Sequence, residues 1–249
     1  MAWTELRFWS PTLGIHVAMN VIIPERVAPP WPTFTLLHGL SDDHTIWHRR
    51  TRIEVYAESH PFLIVMPNGF RGFYTNNADG PDYLKYIVED VRGVVERTFN
   101  VRRERSARAI GGLSMGGYGA LRVGLARPDV YGSINSHSGA LMYANWGAAR
   151  QSSLKEPEYS RIFGERGEDT DHDLLVLSRR CLENKTLPAT LIDCGSEDFL
   201  IGQNRFFVDA LQGMKYPHTY REFPGEHDWN YWDTHIQEAL TFHREALGV

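Results

Sequence analysis

The chain has 249 residues, 42% hydrophobic and 23% charged, with a formal net charge of −5 at pH 7. That balance suits a globular protein with a sizeable core, and the acid excess excludes a global electrostatic pull toward nucleic acid. No apolar run approaches the roughly 18 residues of a membrane-spanning helix.

The opening residues, MAWTELRFWS, lack the basic-then-apolar order of a signal peptide. The two cysteines, Cys181 and Cys194, have no CxxC spacing, so reduced, buried thiols and a cytoplasmic location are expected. TELRFWS (4–10) and IHVAMNVII (15–23) read as an antiparallel strand pair, bounded by Pro11, Gly14 and Pro24. TFTLLHG (33–39) and FLIVMP (62–67) are short apolar runs of the kind that form buried parallel strands. Between 82 and 99, Tyr83, Ile87, Val91, Val94 and Val95 recur at helical spacing among charges, which predicts an amphipathic helix.

The basic stretch VRRERSAR (101–108) includes Glu104 and reads as a solvated connection rather than a phosphate-binding patch. ARAIGG (107–112) is strand-like, and 115–127 is helical until Arg127-Pro128 ends the pattern. YGSINSHSG (131–139) and ATLIDCG (189–195) give two more strands. Helical patterns follow at 201–213 and 231–246, with the strand HTYREF (218–223) between them. Residues 140–170 break this rhythm. They carry Tyr143, Trp146, Tyr159 and Phe163 among small and polar residues, and read as a cap-like insertion near the active site. No repeat or linker divides the chain. The expectation is a single α/β domain over 1–249, with a mostly parallel sheet covered by helices on both faces.

Ser114 lies in Gly112-Leu113-Ser114-Met115-Gly116, a G-x-S-x-G pattern between a predicted strand and a predicted helix. A sharp strand–turn–helix strains the serine backbone and leaves no room for side chains two positions away on either side. Gly112 and Gly116 supply that room, while Gly117, Gly119 and Ala120 let the helix sit close to its sheet. A phosphate loop fits poorly, because neither G-x-G-x-x-G nor a terminal GK[ST] is present.

A serine nucleophile needs a base, and the base needs an orienting group. In an α/β sheet these partners sit just past the carboxyl ends of later strands. After ATLIDCG comes SEDFL with Glu197 and Asp198, and after YREFPG comes EHDWNYW with His227. The order Ser114, Asp198, His227 is that of the hydrolase template. Glu197 is the closer rival to Asp198. Asp193 lies inside the apolar strand, and Asp228 is a sequence neighbour of the imidazole. His38-Gly39 after a buried strand suits an oxyanion loop, with the Leu40 and Met115 amides as its two donors. His44 and His48 have helical metal-ligand spacing, but no third ligand stands out, so neither metal nor organic cofactor is expected. Trp47, Phe73, Tyr74, Trp146 and Trp229 lie on candidate site loops and are the candidate acyl-pocket residues.

The segments LLHGLSDDHTIW, VMPNGFRGFYTNN, GLSMGGYGAL, HSGAL, DCGSEDFL…NRFF and GEHDWNYW together resemble the esterase family that includes esterase D and S-formylglutathione hydrolase. Tributyrin and acetyl esterases and some feruloyl esterases also belong to it. The resemblance runs over almost the whole chain in the same order. It implies an α/β-hydrolase fold and hydrolysis of esters with small acyl groups. Ser114 becomes the nucleophile, His227 the base and Asp198 its partner, with Leu40 and Met115 forming the oxyanion hole. The family's mycolyltransferases show that acyl transfer to an alcohol is also possible on this frame.

In the S-formylglutathione hydrolase branch a His usually precedes the serine, and Ser-Tyr follows the base. Here Leu113 and Asp228-Trp229 take those places, closer to the tributyrin and acetyl esterase branch. The first expectation is therefore a carboxylesterase for short acetyl, butyryl or aryl esters. The alternatives are a glutathione thioesterase, a feruloyl-type esterase, or an inactive hydrolase-fold binding protein, which would usually have lost a triad member. The expected partner is a small-molecule ester, without nucleic acid or membrane. Family members are often dimers or tetramers, so homo-oligomerisation is a further expectation.

Overall fold

The apolar runs in the middle of the chain show no polar alternation because both faces of their strands are covered. In the computed structural model, which describes residues 1–147 and 154–249, eight strands form one sheet in the order β1-β2-β4-β3-β5-β6-β7-β8. Their ranges are β1 Ala2–Ser10, β2 Ile15–Ile23, β3 Thr33–Leu37, β4 Leu63–Pro67, β5 Arg108–Leu113, β6 Ser133–His137, β7 Ala189–Gly195 and β8 Thr219–Phe223. The β1–β2 and β2–β4 pairs are antiparallel, and β3 through β8 pair in parallel. Every residue of β3, β4, β5 and β6 is buried. Leu63 and Val65 enter the core on one face, and Ile64 and Met66 enter the core on the other.

This is the expected α/β-hydrolase architecture, with an antiparallel N-terminal pair. The helices Met115–Ala126 and Leu174–Glu183 bury their apolar side chains in one core, and Ile53–Ala57 and Trp229–Leu247 in the other. The helix expected over 82–99 runs as Tyr83–Lys85, a wider π segment Tyr86–Val91, and Arg92–Thr98. Asp90 on the π segment accepts hydrogen bonds from the Ser10 and Thr12 hydroxyls and the Thr12 amide, which pins the β1–β2 turn.

The basic stretch is less solvated than its charges suggest. Arg108 is buried at the start of β5 and donates to Glu96 at 2.7 Å, while Arg105 donates to the carbonyls of Pro128 and Leu187. Within 140–170, residues 148–153 lie outside the described residues. The rest contains the short helices Tyr143–Trp146 and Glu158–Phe163, whose Tyr143, Tyr159 and Phe163 join the core around Phe73 and Tyr118. Both cysteines are free and buried. Among the described residues no helix is long and apolar enough to cross a membrane.

The helix Trp229–Leu247 is keyed to the sheet by buried His243. Its Nε2 lies 2.9 Å from the Asn135 Oδ1 acceptor, and its Nδ1 accepts from the Ser133 hydroxyl at 2.7 Å. Burial holds His243 at about 3 and His38 at about 4, both below the ordinary 6.5. Each is neutral in the fold, whereas the unfolded chain takes up the proton below about pH 6.5. Stability is therefore complete above the unfolded value and falls as pH drops toward the folded ones. Between pH 6.5 and 5 the unfolding free energy should decline with a slope approaching about 1.4 kcal/mol per pH unit for each such proton. Denaturant titrations at pH 8, 6.5, 5.5 and 5 measure this, and a flat profile would contradict neutral burial of the pair.

Candidate active site

β5 ends at Leu113 and the next helix begins at Met115, leaving Ser114 alone to make the turn. Its backbone adopts φ 54° and ψ −115°, a region that side chains with a Cβ avoid. Two glycines make this turn possible. A Cβ at Gly112 would lie 2.7 Å from both the Leu37 carbonyl oxygen and the Gly116 backbone. A Cβ at Gly116 would lie 2.5 Å from the Leu37 oxygen and 2.7 Å from that of His38. At Gly119 it would lie 2.3 Å from the Tyr74 ring, so that glycine lets the helix lie against its neighbours. The Ser114 amide donates to the His137 carbonyl at 2.9 Å, and the Ser114 carbonyl accepts from Ala140 at 3.1 Å.

The hydroxyl of Ser114 stands at one end of a continuous hydrogen-bonded line. Ser114 Oγ is 3.0 Å from His227 Nε2, and His227 Nδ1 is 2.8 Å from Asp198 Oδ2. Asp198 is buried, and its Oδ1 also accepts the Leu200 amide at 2.7 Å, which fixes the carboxylate plane. With Nδ1–H donated to a carboxylate, Nε2 is left as the acceptor for the serine proton. The imidazole lies between Phe199, tilted at 53° and 4.5 Å away, and Trp232, perpendicular to it and 4.9 Å away.

The rival acids have other partners. Glu197 accepts the Gly225 amide at 2.6 Å and donates its own amide back to Gly225, tying the two strand-end loops together. That backbone bond and the Ser196 hydroxyl hold its carboxyl below the usual range. Asp228 is the N-cap of the helix Trp229–Leu247 and accepts the Tyr231 amide at 2.9 Å. Asp193 is buried against His137 at 2.8 Å and the Tyr231 hydroxyl at 3.0 Å.

On the other side of Ser114, His38 controls the loop after β3. It is neutral, accepts the Gly69 amide on Nε2 at 2.9 Å and donates Nδ1–H to the Gly39 carbonyl at 2.7 Å. In a trans peptide the carbonyl and the following N–H point in opposite directions. Fixing the Gly39 oxygen on the His38 side therefore turns the Leu40 N–H the other way. The Met115 N–H opens its helix and has no acceptor one turn earlier.

The cavity over Ser114 measures about 470 Å³, and Leu40, Leu113, Phe199, Trp229 and Trp232 supply its apolar lining. Among the five expected pocket residues, Trp229 alone lies on it. Trp47 is buried, donates its indole N–H to the Leu37 carbonyl at 3.0 Å, and backs Trp229 edge-on at 5.4 Å. Phe73 and Tyr74 are buried too; the Tyr74 hydroxyl accepts the His38 amide at 3.0 Å and braces the loop from behind. Trp146 packs on Phe206, 5.8 Å away, beside a separate depression. Trp47, Phe73 and Tyr74 thus fill the space behind the site loops, whereas Trp146 lies away from the cavity. Phe199, Trp232 and Arg71 line the cavity in addition to the expected Trp229. Trp232 had a signal, since it sits three residues after Trp229 on the same helical face; Arg71 had none.

Residues 10–243 match the family described as "Putative esterase". An acetyl esterase of Caldicellulosiruptor saccharolyticus is 29% identical over 96% of this chain and 97% of its own length. The substrate-bound structure of FphF, a fluorophosphonate-binding serine hydrolase of Staphylococcus aureus, is 33% identical with a TM-score of 0.89. An S-formylglutathione hydrolase structure from Staphylococcus aureus is 34% identical with a TM-score of 0.86. Each structural alignment covers 97% of this chain and 98% of the other.

The elbow packing has a direct test. Gly116→Ala forces a Cβ against two backbone carbonyls and should cost about 1–3 kcal/mol of stability. Gly202→Ala lies in a helix with nothing within 4 Å of the new Cβ. It should gain about 0.4–1 kcal/mol. Urea midpoints separate the two, and equal midpoints would refute the packing account.

Proposed function

The chain belongs to this esterase family of serine hydrolases, and from that premise we propose a carboxylesterase that cleaves short-chain acyl esters through an acyl-enzyme on Ser114. The observation that carries the reading is the line from Asp198 through His227 to Ser114, at 2.8 and 3.0 Å. Ser114 Oγ attacks the ester carbonyl while His227 Nε2 takes its proton. Asp198 holds the imidazole tautomer and stabilises the imidazolium. The developing oxyanion is received by the Leu40 and Met115 amides, where loss of one donor typically costs about 10²–10³ in turnover. His227 then protonates the departing alcohol and activates water against the acyl-enzyme.

Trp229, Trp232, Leu113 and Phe199 give the acyl group an apolar wall, which favours acetyl, butyryl or aryl acyl groups over charged ones. The acetyl esterase relative points the same way.

A second reading, S-formylglutathione hydrolysis, is favoured by the 34% identical hydrolase structure of that name. Against it stand Leu113 before the serine, Asp228-Trp229 after the base, and an acidic rim. Asp42, Asp43, Asp79 and Glu158 outnumber Arg71 and Arg161 in the cleft beside the serine. A glutathione moiety, itself net anionic, would meet repulsion there.

Ser114→Ala should lower kcat/KM on p-nitrophenyl acetate by at least about 10³-fold, and Asp198→Asn by about 10⁴-fold through loss of the correct tautomer. A Ser114→Ala protein with wild-type turnover would overturn the assignment. The wild type should prefer short acyl esters to S-formylglutathione in kcat/KM, and a strong reverse preference would move the assignment to the second reading.

A further inference from the structure

A second cleft, about 830 Å³, adjoins the serine cavity and shares with it the wall of Leu40, Ser41, Asp42 and Arg71. Its chemistry differs. Both spaces mix apolar and polar lining, but the serine cavity gathers the rings of Phe199, Trp229 and Trp232, whereas the cleft sets the amides of Asn68 and Asn77 beside Asp79, Arg161 and the rings of Phe70 and Tyr83. Arg71 stands between the two spaces. Its Nε and Nη2 donate to the two oxygens of Glu158 at 2.6 and 2.7 Å, and its Nη1 reaches the Leu40 carbonyl at 3.5 Å.

The pair joins elements that are otherwise separate at the rim. Arg71 follows the short turn after β4, and Glu158 begins the helix Glu158–Phe163. That helix also holds the far wall of the cleft, because Ala78 and Asp79 donate their amides to the Ile162 and Arg161 carbonyls. The ion pair thus forms a bar, with one end on the loop after β4, beside the Leu40 carbonyl, and the other on the helix Glu158–Phe163.

We propose that the Arg71–Glu158 pair is a specificity-determining partition that confines the alcohol side of the ester to the serine cavity. With the pair parted, the adjoining cleft receives a larger, uncharged alcohol that bears hydroxyl or acetylated hydroxyl groups. This rests on the esterase reading above. Both side chains are substantially exposed, 49% and 36%, so water screens the pair. Its separation costs little in stability, and its consequence falls on access rather than on folding. Amide and carboxylate groups suit hydroxyl partners, and the tilted Phe70 and Tyr83 rings, 6.1 Å apart, offer an apolar surface for C–H faces. An acyl chain would find its match on the other side, against Trp229 and Trp232.

The test compares kcat/KM on glucose pentaacetate with that on ethyl acetate in the wild type, Arg71→Ala, Glu158→Gln and the Arg71→Ala/Glu158→Ala double variant. The large-to-small ratio should rise about tenfold or more in Arg71→Ala and by less in Glu158→Gln. The double variant should gain nothing further, because the two residues act as one device. A ratio within one preparation is insensitive to how much enzyme is folded. An unchanged or lowered ratio in Arg71→Ala overturns the partition while leaving the esterase reading standing. If the wild type cleaves neither ester and p-nitrophenyl acetate also survives, the esterase reading falls and the partition with it.

Discussion

The backbone of Ser114 is the constraint on which the rest of the site depends. Holding a serine at φ 54° costs on the order of 1–3 kcal/mol and persists only where the surroundings fix it. The Ser114 amide is bound to His137 at the end of β6, and its carbonyl accepts from both Tyr118 and Ala140. The space denied to Cβ atoms at Gly112 and Gly116 is filled by the Leu37 and His38 carbonyls from the end of β3. The contact that permits the turn is therefore the one that brings the His38-Gly39-Leu40 loop beside the hydroxyl. Strain at the serine and placement of the neighbouring amides are two consequences of a single close approach.

Two acid–imidazole pairs lie near this turn, and their surroundings divide their roles. His137 and Asp193 face each other across the β6–β7 register, wholly buried, with the Tyr231 hydroxyl on the same carboxylate. His227 and Asp198 sit beyond the strand ends, with the imidazole 16% exposed and facing the serine cavity. The first pair can brace the sheet beneath the elbow but reaches no solvent. The second can exchange a proton with a group in the cavity. Four residues lie between Asp193 and Asp198 in sequence, and the end of β7 among them decides which acid meets the histidine beside Ser114.

That strand-end rule explains why the hydrogen-bonded line of Ser114, His227 and Asp198 was legible from the chain. G-x-S-x-G marks its own strand–turn–helix, and acids and histidines after later apolar runs arrive at the same edge of a parallel sheet. The sheet was legible for a related reason, since β3 to β7 are short runs buried on both faces. The helix Leu174–Glu183 carries an equally legible signal, because its buried Leu174, Leu177 and Cys181 recur at i, i+3 and i+7 with Arg179 and Arg180 between them. The pocket was the least legible part. Whether Trp47 or Tyr74 faces a cavity or backs a loop depends on which side of the chain the loop turns, and one-dimensional spacing carries no such information. Arg71 and Glu158 are 87 residues apart and meet only because the loop after β4 and a late helix converge on the rim.

The loop beside the serine is held by groups that keep their protonation state through neutral pH. His38 stays neutral down to about pH 4, so it can donate to the Gly39 carbonyl and accept from the Gly69 amide at once. A protonated ring would lose the acceptor and release Gly69. Burial also pushes the Tyr74 hydroxyl well above its ordinary value, so it remains able to accept the His38 amide and donate to the His38 carbonyl. Both braces therefore keep the same donors and acceptors through neutral pH. The two groups that brace this loop from behind, His38 and Tyr74, thus keep their hydrogen bonds to it over that range.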